Sequence, residues 1–249
     1  AHGRASGDPR AILVALTAAV YPLRQNGHRS EALAAGEEAL ALARDHGSDA
    51  ERVASCLQLA SYHAVNGGAE HALALQDEAT AHDGGDDPGV DLDVRIGRAS
   101  VLGELGRHRD ALAAARQASE RARAWGSLDH RARALNVLGV NLQRDGDLKA
   151  AAATYAEVIE VHRLMGVVQL TPKANLATVQ IDRGHDAEAV TILRSVLPHA
   201  VAMSQGPVVH AVHCFLLPAL AGIGAWEDVD RCLADLADAR ATIGYAEEG

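Results

Sequence analysis

A glycine followed five residues later by a small apolar residue recurs at Gly27/Ala32, Gly67/Ala72, Gly106/Ala111, Gly146/Ala151, Gly184/Ala189 and Gly224/Val229. Successive glycines stand 40, 39, 40, 38 and 40 residues apart. Chance placement of common residues does not hold such a period, so the repeat unit, rather than the total length, governs the fold.

The unit is clearest over residues 135–166. Leu135, Leu138 and Leu142 fall at i, i+3 and i+7, the spacing of one helix face. Beyond the break Arg144, Asp145, Gly146, Asp147, the residues Ala151, Tyr155, Val158 and Ile159 keep a matching stripe. Two helices alone cannot bury both stripes, so copies of the pair must stack. A second series, Gly47, Gly126, Gly166, Gly206 and Gly244, follows short polar or basic runs. These glycines are expected to be left-handed caps, with Arg or His in the preceding turn facing the negative helix end.

The expected pairs cover about residues 8–47, 49–85, 89–126, 129–166, 169–205 and 207–244, one continuous array over 8–249, with 1–7 a boundary segment left by excision from a longer protein. Asp8 with Pro9, and Thr171 with Pro172, read as N-cap and first-turn pairs. Gly97 and Gly103 weaken the helix that holds them, and Pro218 predicts a kink near Cys214. The acidic stretch 81–93 reads as a solvated connection, since its aspartates do not fit a calcium loop.

The pattern L-x-x-L-G-x-x-L, then G-x-x-x-x-A-x-x-x-Y, set by Leu135, Leu138, Gly139, Leu142, Gly146, Ala151 and Tyr155, resembles a tetratricopeptide repeat with Leu replacing the usual first Trp and Tyr. The period is about 40 rather than about 34 residues, as in the helical arrays of bacterial signal-transduction ATPases and transcriptional activators. The resemblance implies an all-α fold, a right-handed superhelical solenoid of about six antiparallel hairpins. It also implies that the first helix of every pair lines a concave face holding a peptide or protein. Alignment on the glycines puts Tyr21, Arg24, Gln58, Ser61, Arg133, Asn136, Gln143, Asn175 and Thr178 on that face. Arg133, Asn136 and Asn175 fit a peptide carboxylate or backbone. The same side chains serve equally well as bridges between neighbouring helices. The family's carboxylate clamp of paired Lys and Asn is not matched.

The remaining composition narrows the function classes. The formal net charge is -10 and no run of Lys or Arg occurs, which disfavours direct binding to nucleic acid or an anionic membrane. The longest apolar run, residues 11–23, has the length of a buried helix; its apolar character on nearly every side points to packing by another repeat or to self-association. Nucleotide-loop, zincin and nucleophile-elbow motifs are missing, and no cofactor is implied. His210, His213 and Cys214 share a helix face and form a weak metal candidate. Cys56, Cys214 and Cys232 read as small buried thiols in a reducing cytoplasm. The expectation is a non-catalytic interaction or sensing module of a larger bacterial signalling or transcriptional regulator. The alternatives are a stand-alone self-associating adaptor and, behind it, a small-molecule or metal sensor.

Overall fold

A computed structural model of the chain describes residues 8–25, 28–82 and 87–243. Among them are twelve α-helices and no strand: α1 Pro9–Gln25, α2 Arg29–His46, α3 Asp49–Val65, α4 Ala69–His82, α5 Pro88–Glu104, α6 His108–Trp125, α7 Leu128–Asp145, α8 Leu148–Leu164, α9 Leu170–Asp182, α10 Asp186–Ala202, α11 Gly206–Gly222 and α12 Trp226–Ile243. The all-α fold expected from the repeat is therefore found.

The turn glycines explain the pairing. Gly67, Gly106, Gly146, Gly184 and Gly224 have φ between +72° and +88°, a backbone region that costs a side chain-bearing residue energy. Gly27 lies outside the described residues. Five positions on, Ala32, Ala72, Ala111, Ala151 and Ala189 are fully buried. No larger side chain fits between helices that approach so closely. Ala72→Leu is expected to lower stability by about 1–3 kcal/mol through overpacking; an unchanged denaturation midpoint would contradict the register.

The second glycine series keeps its expected role only in part. Gly126 and Gly166 are left-handed, but Gly47 is extended at φ -86°, ψ 163° because Ser48 begins the next helix at once. Gly206 is the first residue of α11, and Ser204 takes the left-handed position at φ 53°. Gly244 lies outside the described residues. Asp8 accepts from Arg10 N at 3.0 Å, the expected N-cap contact. Helix α9, by contrast, starts at Leu170 after Gln169, so Thr171 and Pro172 fall inside its first turn, where a missing N–H costs nothing.

The acidic stretch is shorter as a connection than expected. Residues 83–86 lie outside the described part, while Asp87 caps α5 by accepting from Gly89 N at 2.8 Å. Asp91 and Asp93 belong to that helix. Helix α5 runs unbroken through Gly97, where a Cβ would come within 2.8 Å of the Gln76 amide. Helices α10 and α11 continue through Pro198 and Pro218.

By contacts the chain falls into two compact units, Ala1–Val137 and Leu138–Gly249, the division lying within α7. In the first, α1 pairs with α2, α3 with α4 and α5 with α6; first helices also touch, α1 with α3 and α3 with α5. Its cores join Leu40, Val53, Leu59 and Leu75, and Leu92, Ile96, Ala118 and Ala134. Helix α1 buries Leu13 and Val20 but leaves Val14 and Tyr21 exposed. In the second unit, α9 pairs with α10 and α11 with α12, around a core of Leu193, Val196, Val212 and Leu216. There Tyr155 of α8 lies over Gly139 of α7, where a Cβ would come within 2.8 Å of the ring.

Candidate polar face on the first helices

The nine residues expected on one face fall into three groups. On α1 and α3, the Arg24 guanidinium sits 5.3 Å from the centre of the Tyr21 ring and donates through Nη1 to Ser61 Oγ at 3.3 Å. Gln58 is half-buried about one turn before Ser61. On α5 and α7, Arg133 Nη1 donates to Asp93 Oδ1 at 2.6 Å, with Asp129 Oδ2 at 3.8 Å; Asn136 is half-buried one turn later. In the second unit, Gln143 Nε2 donates to Asp182 Oδ2 at 2.6 Å and to Thr178 Oγ1 at 3.3 Å. Thr178 Oγ1 in turn donates to the Asn175 carbonyl at 2.8 Å.

Apart from the Thr178–Asn175 bond and the Arg133–Asp129 contact, which stay within one helix, these bonds cross from one first helix to the next. Residues related by one repeat occupy equivalent positions on adjacent helices, so partners lie 37, 40, 35 and 39 positions apart. Arg10 with Glu51 and Thr17 with Ser55 obey the same rule, at separations of 41 and 38. The residues that the sequence does not mark are the carboxylate acceptors, Asp93 and Asp182. The sequence places Asp93 in the acidic connection, and nothing in it marks Asp182 apart from other helix-end carboxylates.

Several rotamers are therefore fixed while hydrogen-bonding capacity remains. Arg133 is 47% exposed, and its contacts with Asp93 and Asp129 run through Nη1 of a guanidinium that carries five N–H donors. Gln143 spends its amide donors on α9, which leaves the carbonyl oxygen as an acceptor. Immobilised polar side chains lose less entropy on gripping a ligand.

The histidine candidates are held by other contacts. His213 is buried and its Nδ1 donates to the Val209 carbonyl at 3.0 Å; Nε2 stands 4.0 Å from Asp235 Oδ2. His210 Nε2 lies 3.6 Å from Cys214 Sγ. Among the described residues no three His, Cys, Asp or Glu side chains are placed to hold a metal ion. Cys56 and Cys232 are buried as expected, whereas Cys214 is exposed, since it faces away from the core that Cys232 enters; all three are free thiols. Ser127 Oγ, His130 and Asp93 lie in sequence at 2.9 Å and 3.4 Å, an order reminiscent of an acyl-transfer relay. The Ser127 hydroxyl, however, accepts from His130 N as the cap of α7, and Asp93 is engaged by Arg133.

In the first unit charged side chains gather on α2, α3 and α4. Arg44 donates to both Glu78 oxygens, at 3.1 Å and 2.6 Å, and Arg52 adds a third bond at 2.8 Å. The Arg44 bond, then that of Arg52, holds the Glu78 carboxyl down at about 2 against the opposing effect of burial. Glu51 is held down to about 2 by the Ser48 amide and hydroxyl and by Arg10. A lowered folded-state value means stability that is complete above the ordinary carboxylate range and lost as pH falls through it toward 2. Between pH 6 and 3 the wild type should lose about 1–2 kcal/mol more than Glu78→Gln, measured by denaturant midpoints. Equal acid sensitivity would show the Glu78 cluster to be energetically silent.

Residues 92–163 match the tetratricopeptide repeat family model. No curated protein matches the chain. Among solved structures, BtubC (BKLC) from P. vanneervenii superposes with a TM-score of 0.68 at 18% identity, over 91% of this chain and 94% of that one. A Signal Transduction ATPase with Numerous Domains protein with a tetratricopeptide repeat sensor, from Pyrococcus horikoshii, gives 0.70 at 12% identity; 96% of this chain covers 37% of its length. A Rap protein complexed with Competence and Sporulation Factor gives 0.70 at 11% identity, over 94% and 76%. At these identities the likeness is one of fold.

Proposed function

From a chain that carries tetratricopeptide repeats and keeps their helix-pair plan on either side, we propose a non-catalytic interaction or sensing module that holds a peptide or protein on the polar face of its first helices. One observation carries the reading: in both units, polar side chains at the repeat period are locked between successive first helices with donors or acceptors to spare. Two structural neighbours support it, one bearing a repeat array as a sensor and one complexed with a factor. The finer reading is a sensing arm of a larger bacterial signalling or transcriptional regulator, working in the cytoplasm. Among the described residues no helix is long and apolar enough to cross a membrane.

The test is a random-peptide display selection on the full chain. Recovered peptides are expected to bind about tenfold or more weakly to Gln143→Ala or Asn175→Ala. Peptides indifferent to both changes and to Arg24→Ala would place recognition elsewhere. A second reading, self-association through α1, is favoured by the exposure of Val14 and Tyr21, 58% and 53%. Sedimentation of Val14→Glu against wild type decides it, since a monomer in both cases removes the idea.

A further inference from the structure

An open cavity of about 330 Å³ lies between α2, α3 and α4, lined by side chains that the proposed function does not use. Leu40, Leu59 and Leu75 line it and are almost wholly buried, giving it an apolar floor. Glu37 and Arg44 line it from α2 at i and i+7, two turns or about 10 Å apart along the axis. The cavity therefore has one acidic and one basic end.

The acidic end is unfilled in electrostatic terms. Glu37 is exposed and makes no hydrogen bond or ion pair among the described residues; its charge is felt at His63. At the other end Glu78 is shared by Arg44 and Arg52, so two cations face one anion. Arg44 gives Glu78 its Nε and one Nη2 hydrogen, which leaves three of its five N–H donors, and its side chain is 47% exposed.

His63 and His71 stack between the ends, ring centres 5.4 Å apart and planes 27° from parallel. Glycine at position 68 leaves room for the first ring, since a Cβ there would lie 2.8 Å from His63 Nδ1. Burial, and then the neighbouring His71, lower the His63 pKa, which favours an uncharged ring at neutral pH. The two carboxylates, Glu37 and Glu78, and the two guanidinium groups, Arg44 and Arg52, sum to zero charge while remaining separated. A lone cation is repelled at one end and a lone anion at the other.

We propose that this cavity binds a small zwitterion whose ammonium and carboxylate are held apart by an apolar body of roughly dipeptide length. The ammonium meets Glu37, the body lies on the leucine floor beside the imidazoles, and the carboxylate takes the unused edge of Arg44. This site is independent of the polar face on the first helices.

The probe is ε-aminocaproate, titrated into the full chain while the imidazole resonances of His63 and His71 are followed by NMR. Hexylammonium and hexanoate keep the apolar body with one charge each. Saturable shifts are expected with ε-aminocaproate in the millimolar range, and binding about tenfold weaker for either single-charge analogue. Glu37→Gln, at an exposed position that leaves the fold intact, should reduce the zwitterion to the level of hexanoate. Alanyl-leucine binding more tightly than ε-aminocaproate identifies a peptide source, and the reverse order an ω-amino acid; both support the site. Equal binding by the zwitterion and a single-charge analogue, an unaltered affinity in Glu37→Gln, or no saturable shift with any probe overturns it.

Discussion

Tyr155→Ala is expected to destabilise the protein by about 3–5 kcal/mol, the cost of deleting a large buried ring. Tyr155 is 1% exposed and is the largest fully buried side chain described. Burial pushes its phenol far above the ordinary range, so the hydroxyl stays neutral throughout the working pH scale. Tyr155→Phe should accordingly cost little, which separates ring packing from loss of the hydroxyl. The ring and Gly139 form a matched pair, and a double-mutant cycle exposes it. Gly139→Ala alone should destabilise by about 1–2 kcal/mol, because the ring cannot move away from a Cβ at 2.8 Å. In a Tyr155→Leu background the same change should be neutral or stabilising, as alanine favours helix over glycine by about 1 kcal/mol. Additive effects in calorimetric or denaturant unfolding would mean that the contact is not tight.

Leu193→Ala is the second large effect, with an expected loss of about 2–5 kcal/mol. Leu193 is fully buried in the core of the second unit, beside Val190, Val196, Val212 and Leu216. Only 3% of the sequence is aromatic, so aliphatic side chains carry most of the burial and each one lost leaves a cavity that small neighbours fill poorly. Leu193→Met keeps the volume and should cost under about 1.5 kcal/mol. In an array whose repeats are stabilised by nearest neighbours, exchange protection should fall first in α10 and α11, while α3 and α4 change least. Uniform loss of protection along the chain would instead indicate a single cooperative fold.

The candidate face was only partly legible in the sequence. Alignment on the turn glycines selected Arg24, Ser61, Arg133, Gln143 and Thr178, and the structure gives each of them a bond to a neighbouring first helix. Asp93 and Asp182 went unread because a carboxylate near a helix end looks the same whether it is solvated or bridges to the next repeat. The cavity beside His63 and His71 was less legible still. Its lining comes from three helices, and no residue pattern encodes how their side chains come together.

The chain's own order of residues determined the number and length of the helix pairs, the sharp turns within them and the small contacts behind each turn. These are local matters: glycine's freedom at positive φ, and the requirement that an apolar stripe of period 3.6 be buried. What needed the tertiary structure was everything settled by distance between helices remote in sequence. Ser204 rather than Gly206 takes a left-handed turn, Gln76 fills the space at Gly97, and Glu78 gathers two arginines. A carboxylate's partner and a cavity's walls depend on a few ångströms of packing, and the energies that fix those ångströms are summed over neighbours that the sequence does not place side by side.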